Sequence, residues 1–236
     1  MTLDQNKRPP DPFGDDEDIF DINCRPATKA DLGQVAFLAL GLLNKLFGDM
    51  IGAIEIDARE IVESSLRNRL RLDSTWVMTE GKTVIGTIDL ETVETRKLNG
   101  LAIPRVLAER LGLTEKVAEA GLLPLLVHEP EPDECHQPIV ALLPGSRGEG
   151  RGTLLLMHGA FWAKAQGKHW ITTWLPEDDP GYQVYKRRGY FVEKEIGSSS
   201  PTSGQKWIFL KRPISAQAHK IMRTKGNSGT GTNSVI

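Results

Sequence analysis

The sequence predicts an α/β fold of the α+β kind, a mixed sheet flanked by helices, and three stretches carry that prediction. Residues 139–143 (Ile-Val-Ala-Leu-Leu) are an apolar run closed by Pro144. A glycine-rich segment and a helix-like run over 153–166 follow, which gives the order strand, turn, helix. Residues 75–80 and 83–90 are β-prone segments around a Gly81-Lys82 turn and read as a hairpin. Leu32, Val35, Ala36, Leu38, Ala39, Leu42, Leu43 and Leu46 recur at helical spacing and form one broad apolar face.

In chain order, residues 22–26 read as a first strand, and Thr28 caps a helix with Asp31 in its first turn. A second amphipathic helix spans 57–72, with Arg59, Arg67, Arg69 and Arg71 on its wet side. Gly86, in the middle of the hairpin's second strand, implies a bulge or a close backbone approach. Residues 96–124 carry an apolar face for one or two helices broken at Gly112, a helical insertion between the hairpin and the next strand. Residues 128–134 form an acidic, proline-punctuated loop, extended and exposed, suited to attract a cation. Residues 168–175 are a strand stopped by Pro176 and Pro180, and 191–196 and 206–210 are two more around a loop at 198–201.

The domain expected from this pattern covers 21–212. Residues 1–20, with Pro9, Pro10, Pro12 and the acids Asp15, Asp16, Glu17 and Asp18, read as a disordered acidic tail. Residues 213–236 begin with some helical character, turn polar and glycine-rich, and read as a second disordered tail. A formal net charge of −2 gives no reason to expect nucleic acid or a membrane surface as partner. No run approaches eighteen apolar residues and no basic-then-apolar leader opens the chain, so a cytoplasmic location is expected. Cys24 and Cys135 have no ligand-pair spacing, and no metal is expected.

The segment Arg147-Gly148-Glu149-Gly150-Arg151-Gly152-Thr153 is where chemistry is expected. Glycines let the backbone approach a ligand, and a helix starting there turns unpaired N–H groups towards an anion. A kinase-type P-loop is excluded because Arg151 and Gly152 stand where Lys and Ser/Thr are needed. The dinucleotide fingerprint is excluded by spacing, since the glycines fall at 148, 150 and 152.

What remains is Arg147-x-x-Gly150-x-Gly152 after a strand and a proline, which resembles the pyrophosphate-binding signature of the GCN5-related N-acetyltransferase family. Downstream, Tyr185-x-x-x-Gly189-Tyr190 resembles that family's Tyr-x-x-x-Gly-Phe/Tyr ending, and residues 24–31 (Cys-Arg-Pro-Ala-Thr-Lys-Ala-Asp) are similar to its common opening. The resemblance covers about residues 22 to 212. It implies a sheet of six to seven strands, mostly antiparallel, splayed between strands 4 and 5, and direct transfer of an acetyl group from acetyl-CoA to a primary amine of a small molecule or peptide. A non-catalytic acyl-CoA-binding regulatory domain is the alternative, and a homodimer is one assembly open to such a chain.

The resemblance also assigns site residues. The diphosphate of acetyl-CoA is expected on the turn at Arg147, Gly148, Gly150, Arg151, Gly152 and Thr153, and the pantetheine amides on the strand edge at Val140 and Leu142. An N–H near Leu142 is expected to face the thioester oxygen. Tyr185 is the expected acid for the leaving thiolate. Glu134 and His136 project to one face by strand alternation, and His136, then Glu134, is the expected base for the amine. Asp178 stands where the family often has an Asn against the pantetheine arm; an ionised carboxylate accepts but cannot donate there.

Overall fold

The computed structural model describes residues 22–47, 55–119, 123–197 and 206–227; the acidic tail at 1–20 and the loop at 198–201 lie outside the described residues. The chain opens with β1 (Ile22–Pro26), α1 (Leu32–Phe47) and α2 (Glu55–Arg67). The hairpin β2 (Thr75–Glu80) and β3 (Thr83–Glu91) follows. Then come four short helices, α3 (Val93–Asn99), α4 (Ile103–Arg110), α5 (Thr114–Glu119) and α6 (Leu123–Val127). The second half runs β4 (Glu134–Leu142), α7 (Arg151–Ala165), β5 (Trp170–Pro176), α8 (Tyr182–Arg187), β6 (Phe191–Gly197), β7 (Lys206–Pro213) and α9 (Ala216–Asn227).

Among the described residues these strands make one seven-stranded sheet in the order β1-β2-β3-β4-β5-β7-β6. Every neighbouring pair is antiparallel except β4 and β5. That parallel pair is joined only at Glu134 with Trp170, Cys135 with Ile171 and His136 with Thr172. Both strands continue past these rungs, β4 to Leu142 and β5 to Pro176, so the sheet parts there.

Helices cover both faces. One face buries Leu32, Val35, Leu43, Leu66, Leu107 and Ile139 with α1, α2 and the insertion. The other buries Ile88, Leu155, Leu156, Ile171, Tyr185 and Ile208 under α7 and α8. Gly159 lets α7 lie close to the sheet: a Cβ there would stand 2.7 Å from Ile88 Cδ1. The same holds between strands at Gly86, where a Cβ would meet Leu142 Cδ2 at 2.5 Å, beside a register shift in the hairpin. Both features expected of Gly86, a bulge and a close approach, are therefore present.

Pro138 removes a ladder donor from β4, and the register against β3 shifts between Asp89 and Glu91. The bulge changes the strand's phase. Glu134 and His136 face the α1 side, Cys135 and Gln137 the α7 side, and beyond the bulge Ile139 returns to the α1 side.

Local chemistry explains the first helix. The Asp31 carboxylate accepts from the Thr28 N–H at 2.7 Å and from both Arg25 nitrogens at 2.7 and 2.9 Å. Arg25 foremost holds that carboxyl down at about 2.

Three expectations are corrected, and one is extended. Helix α2 ends at Arg67, not at 72, and Arg69 is not on a wet face: it is buried, with nitrogens 2.5 and 2.8 Å from the Asp89 carboxylate. The insertion has its two helices broken at Gly112, as α4 and α5 with Gly112 at φ +63° between them, and α3 and α6 overlap its ends. The loop at 128–134 is not wholly exposed, because Pro130 and Glu134 are buried. The C-terminal segment contains α9, seated through fully buried Ala218, where a disordered tail was expected.

Candidate active site

The glycine turn is built as a left-handed run. Gly148, Glu149 and Gly150 have φ of +97°, +49° and +77°, and only the middle one bears a side chain. Helix α7 starts at Arg151, two residues before the expected position, with no side chain capping it. Its first internal bond is Leu154 N–H to Gly150 O at 2.9 Å, which leaves the N–H groups of Gly152 and Thr153 uncapped at the positive end of a 15-residue helix. The charge of the two arginines is not equally available. Arg147 is exposed, whereas Arg151 is engaged by Glu80 at 2.9 Å and Glu149 at 3.2 Å.

The strand edge leads from that turn to the rungs. Leu143 N–H donates to Ile85 O at 2.8 Å, so alternation turns the N–H groups of Leu142 and Val140 away from β3 and into the gap beside β5. Beyond His136 no ladder partner on the β5 side meets them among the described residues. An unpaired edge of this kind is what an amide-bearing chain can add to as a strand.

Where the strands part, polar groups concentrate inside an apolar surround. On the α1 side, Glu134 Oε1 accepts from His128 Nε2 at 2.7 Å and from Thr172 Oγ1 at 2.5 Å. Thr172 Oγ1 lies 2.9 Å from His136 Nδ1. Because the threonine proton is committed to Glu134, His136 donates its Nδ1–H to Thr172 and carries its lone pair on Nε2. Burial, with the charges of His128 and Arg96, holds the His136 imidazole well below 6.5. Burial raises the Glu134 carboxyl, but its bonds to His128 and Thr172 outweigh this and leave it below the usual range. Arg96 donates to the His128 carbonyl at 2.8 Å and pins the start of the loop.

His136 lines a narrow cleft of about 30 Å³ whose other walls are apolar: Leu42 and Leu43 of α1, Pro104 of α4, Leu125 of α6, and Trp174 and Trp207. The insertion therefore reaches the mouth of the site.

On the α7 side, Tyr185 is buried in α8 and meets Tyr190 edge-on at 5.0 Å. Its hydroxyl faces the Thr173 side chain, which donates across the gap to Gln137 O at 2.9 Å. Burial pushes the phenol well above 10. Asp178 is exposed in the turn between β5 and α8.

The expected residues thus fall into three groups along one path: the turn at 147–153, the edge at Val140 and Leu142, and Tyr185 with His136 and Glu134 at the rungs. His128, Thr172, Thr173 and Gln137 were not expected. The paired threonines in the middle of an apolar strand were the available signal. His128, Glu134 and His136 also bring one ligand atom each within 4.8 Å of one another, a donor set that zinc accepts. The hydrogen bonds described above already engage Glu134 Oε1, His128 Nε2 and His136 Nδ1.

No protein-family model matches the sequence, and no curated protein sequence matches it significantly. Solved structures do. An N-acetyltransferase from Staphylococcus aureus Mu50 is 20% identical over 80% of this chain and 99% of its own, with a TM-score of 0.58. An acetyltransferase of the GNAT family from Streptococcus pneumoniae is 14% identical over 82% and 99%, with a TM-score of 0.54. The PaiA N-acetyltransferase from Thermoplasma acidophilum, in complex with coenzyme A, is 12% identical over 82% and 99%, with a TM-score of 0.51. With its seven strands, its single parallel pair and these neighbours, the chain has the fold of the GCN5-related N-acetyltransferases.

Proposed function

We propose that the protein is an acetyl-CoA-dependent N-acetyltransferase that passes the acetyl group directly to a primary amine of a small molecule or peptide. One observation carries the reading: an imidazole with a free lone pair and a protonated phenol stand on opposite faces of the sheet, at the level where β4 and β5 separate. A thioester threaded between the strands would have the amine on one side and the departing sulfur on the other.

In this reading the diphosphate rests on the N–H groups of the turn from Arg147 to Thr153, with Arg147 as the free cation. Val140 and Leu142 pair with the pantetheine amides. Val140 does so through its carbonyl, which leaves its N–H, nearer the rungs than the N–H near Leu142 that was expected in this role, to donate to the thioester oxygen as it gains charge. The amine nitrogen forms its bond to the carbonyl carbon and gives up a proton to His136 Nε2. As the C–S bond breaks, the thiolate takes the Tyr185 proton. Glu134 and Thr172 hold the imidazole in the required tautomer. Asp178 is placed near the pantetheine arm as an acceptor only.

The cleft on the α1 side narrows the acceptor. At about 30 Å³ it has room for little more than an amino group, and among the described residues it offers apolar and indole walls and no carboxylate, which suits an amine on a small apolar group better than a polycation. The test is thiol release from acetyl-CoA over a panel of amines. Tyr185→Phe should lower kcat by about 100-fold without changing acetyl-CoA affinity. Gly150→Glu, which strains the turn and charges it, should abolish acetyl-CoA binding in calorimetry. Tight binding with no turnover on any amine, indifferent to Tyr185→Phe, would leave the non-catalytic acyl-CoA-binding domain as the reading.

A further inference from the structure

A second cavity lies away from this path, on the α7 side at the closed end of the sheet. It holds about 300 Å³ and is lined by Lys164, Arg188, Arg212 and His219, with Phe161 at its edge and no Asp or Glu among its walls. Lys164 is thirteen residues along α7 from Arg151, which places it about 20 Å from the glycine turn. A ligand anchored by its diphosphate at that turn does not fill this cavity.

Two of these cations have an ordinary explanation. Lys164 lies in the last turn of α7 and Arg188 follows α8, where positive charge complements exposed carbonyls. Arg212 has no such excuse. It projects from β7 onto the α7 side and stacks its guanidinium 5.8 Å from the Tyr190 ring, yet its Nη1 is cut off from solvent with no hydrogen-bond partner among the described residues. A buried guanidinium nitrogen without an acceptor, beside two further cations and no counter-carboxylate, is a site short of an anion. Phe161, 65% exposed at the rim, offers a ring face to whatever carries that anion.

We propose that this cavity binds a small organic phosphomonoester, its dianion held by Arg212, Arg188 and Lys164 and its apolar or aromatic part against Phe161. The cavity is larger than a bare phosphate requires and sits within the range of small-ligand pockets.

Calorimetry on the full chain saturated with acetyl-CoA, or on Gly150→Glu should that cofactor not bind, keeps the glycine turn out of the measurement. The probes are adenosine 5′-monophosphate and inorganic phosphate at fixed ionic strength. Adenosine 5′-monophosphate should bind, and Arg212→Gln should weaken it at least tenfold. The exposed double variant Lys164→Glu/Arg188→Glu, which does not disturb the Tyr190 contact, should abolish it. Equal affinity for the two probes would assign the site to the phosphate group alone and remove Phe161 from it. Absence of binding by either probe, or binding unchanged in the double variant, overturns the proposal.

Discussion

At the scale of single residues, the site is governed by which atoms hold protons. His136 is neutral because it is buried beside positive charge, so the proposed base stays competent well into acid. With a weakly basic amine acceptor, unprotonated across the range so that its own ionisation does not enter, the rate should be flat through neutrality and its acid limb should fall well below pH 6.5; a limb at or above 7 with that acceptor would point to another base. The same shift has a stability consequence of fixed sign. The unfolded chain takes up a proton near pH 6.5 that the folded His136 refuses, so its contribution is present above that value and lost as pH falls below it. The metal-like set at His128, Glu134 and His136 gives a separate check. Activity should survive EDTA unchanged, and a loss restored by zinc would reassign the three as ligands. Tyr185, His136 and Glu134 were legible because a motif and strand alternation each point at a position. His128 and Thr172 were not, since the first depends on Arg96 drawing in a loop carbonyl and the second on the rung between β4 and β5. Arg69 was misread for a related reason: helical periodicity was carried past Arg67, where the helix ends and the chain turns inward to Asp89.

At the scale of elements, the glycines divide by purpose. Gly148 and Gly150 are there for backbone angle, with nothing within 4 Å of an added Cβ, whereas Gly86 and Gly159 are there for room. Gly159→Leu should therefore destabilise the fold by about 1–3 kcal/mol through overpacking against Ile88 and Leu90, read as a lowered denaturation midpoint. An unchanged midpoint would mean that α7 is not seated as described. Long elements with clear periodicity, such as α1, the hairpin and α7, were readable in advance. In the insertion the break at Gly112 between α4 and α5 was readable, but α3 and α6, seven and five residues long, are too short for the 3.6-residue period to declare itself. Helix α9 was obscured by the polar, glycine-rich residues that follow it.

At the scale of the whole molecule, the sheet separates the candidate groups between its faces: apolar walls and the imidazole towards α1, the phenol and the glycine turn towards α7. That division was legible in outline, because the order of strands and the glycine turn fix which element follows which. The basic cavity was not, since its cations come from α7, the end of α8, β7 and α9. Among the described residues the two halves of the sheet meet at three rungs, with side-chain bonds from Thr172 to Glu134, from His136 to Thr172 and from Thr173 to Gln137 at the same end, which makes the molecule a clothes-peg with a short spring. A guest whose amides take the place of the missing rungs clamps the jaws together. Hydrogen exchange at Val140, Leu142 and the facing part of β5 should then slow on adding acetyl-CoA, while β1 and β2, on the outer side of one jaw, keep their pace.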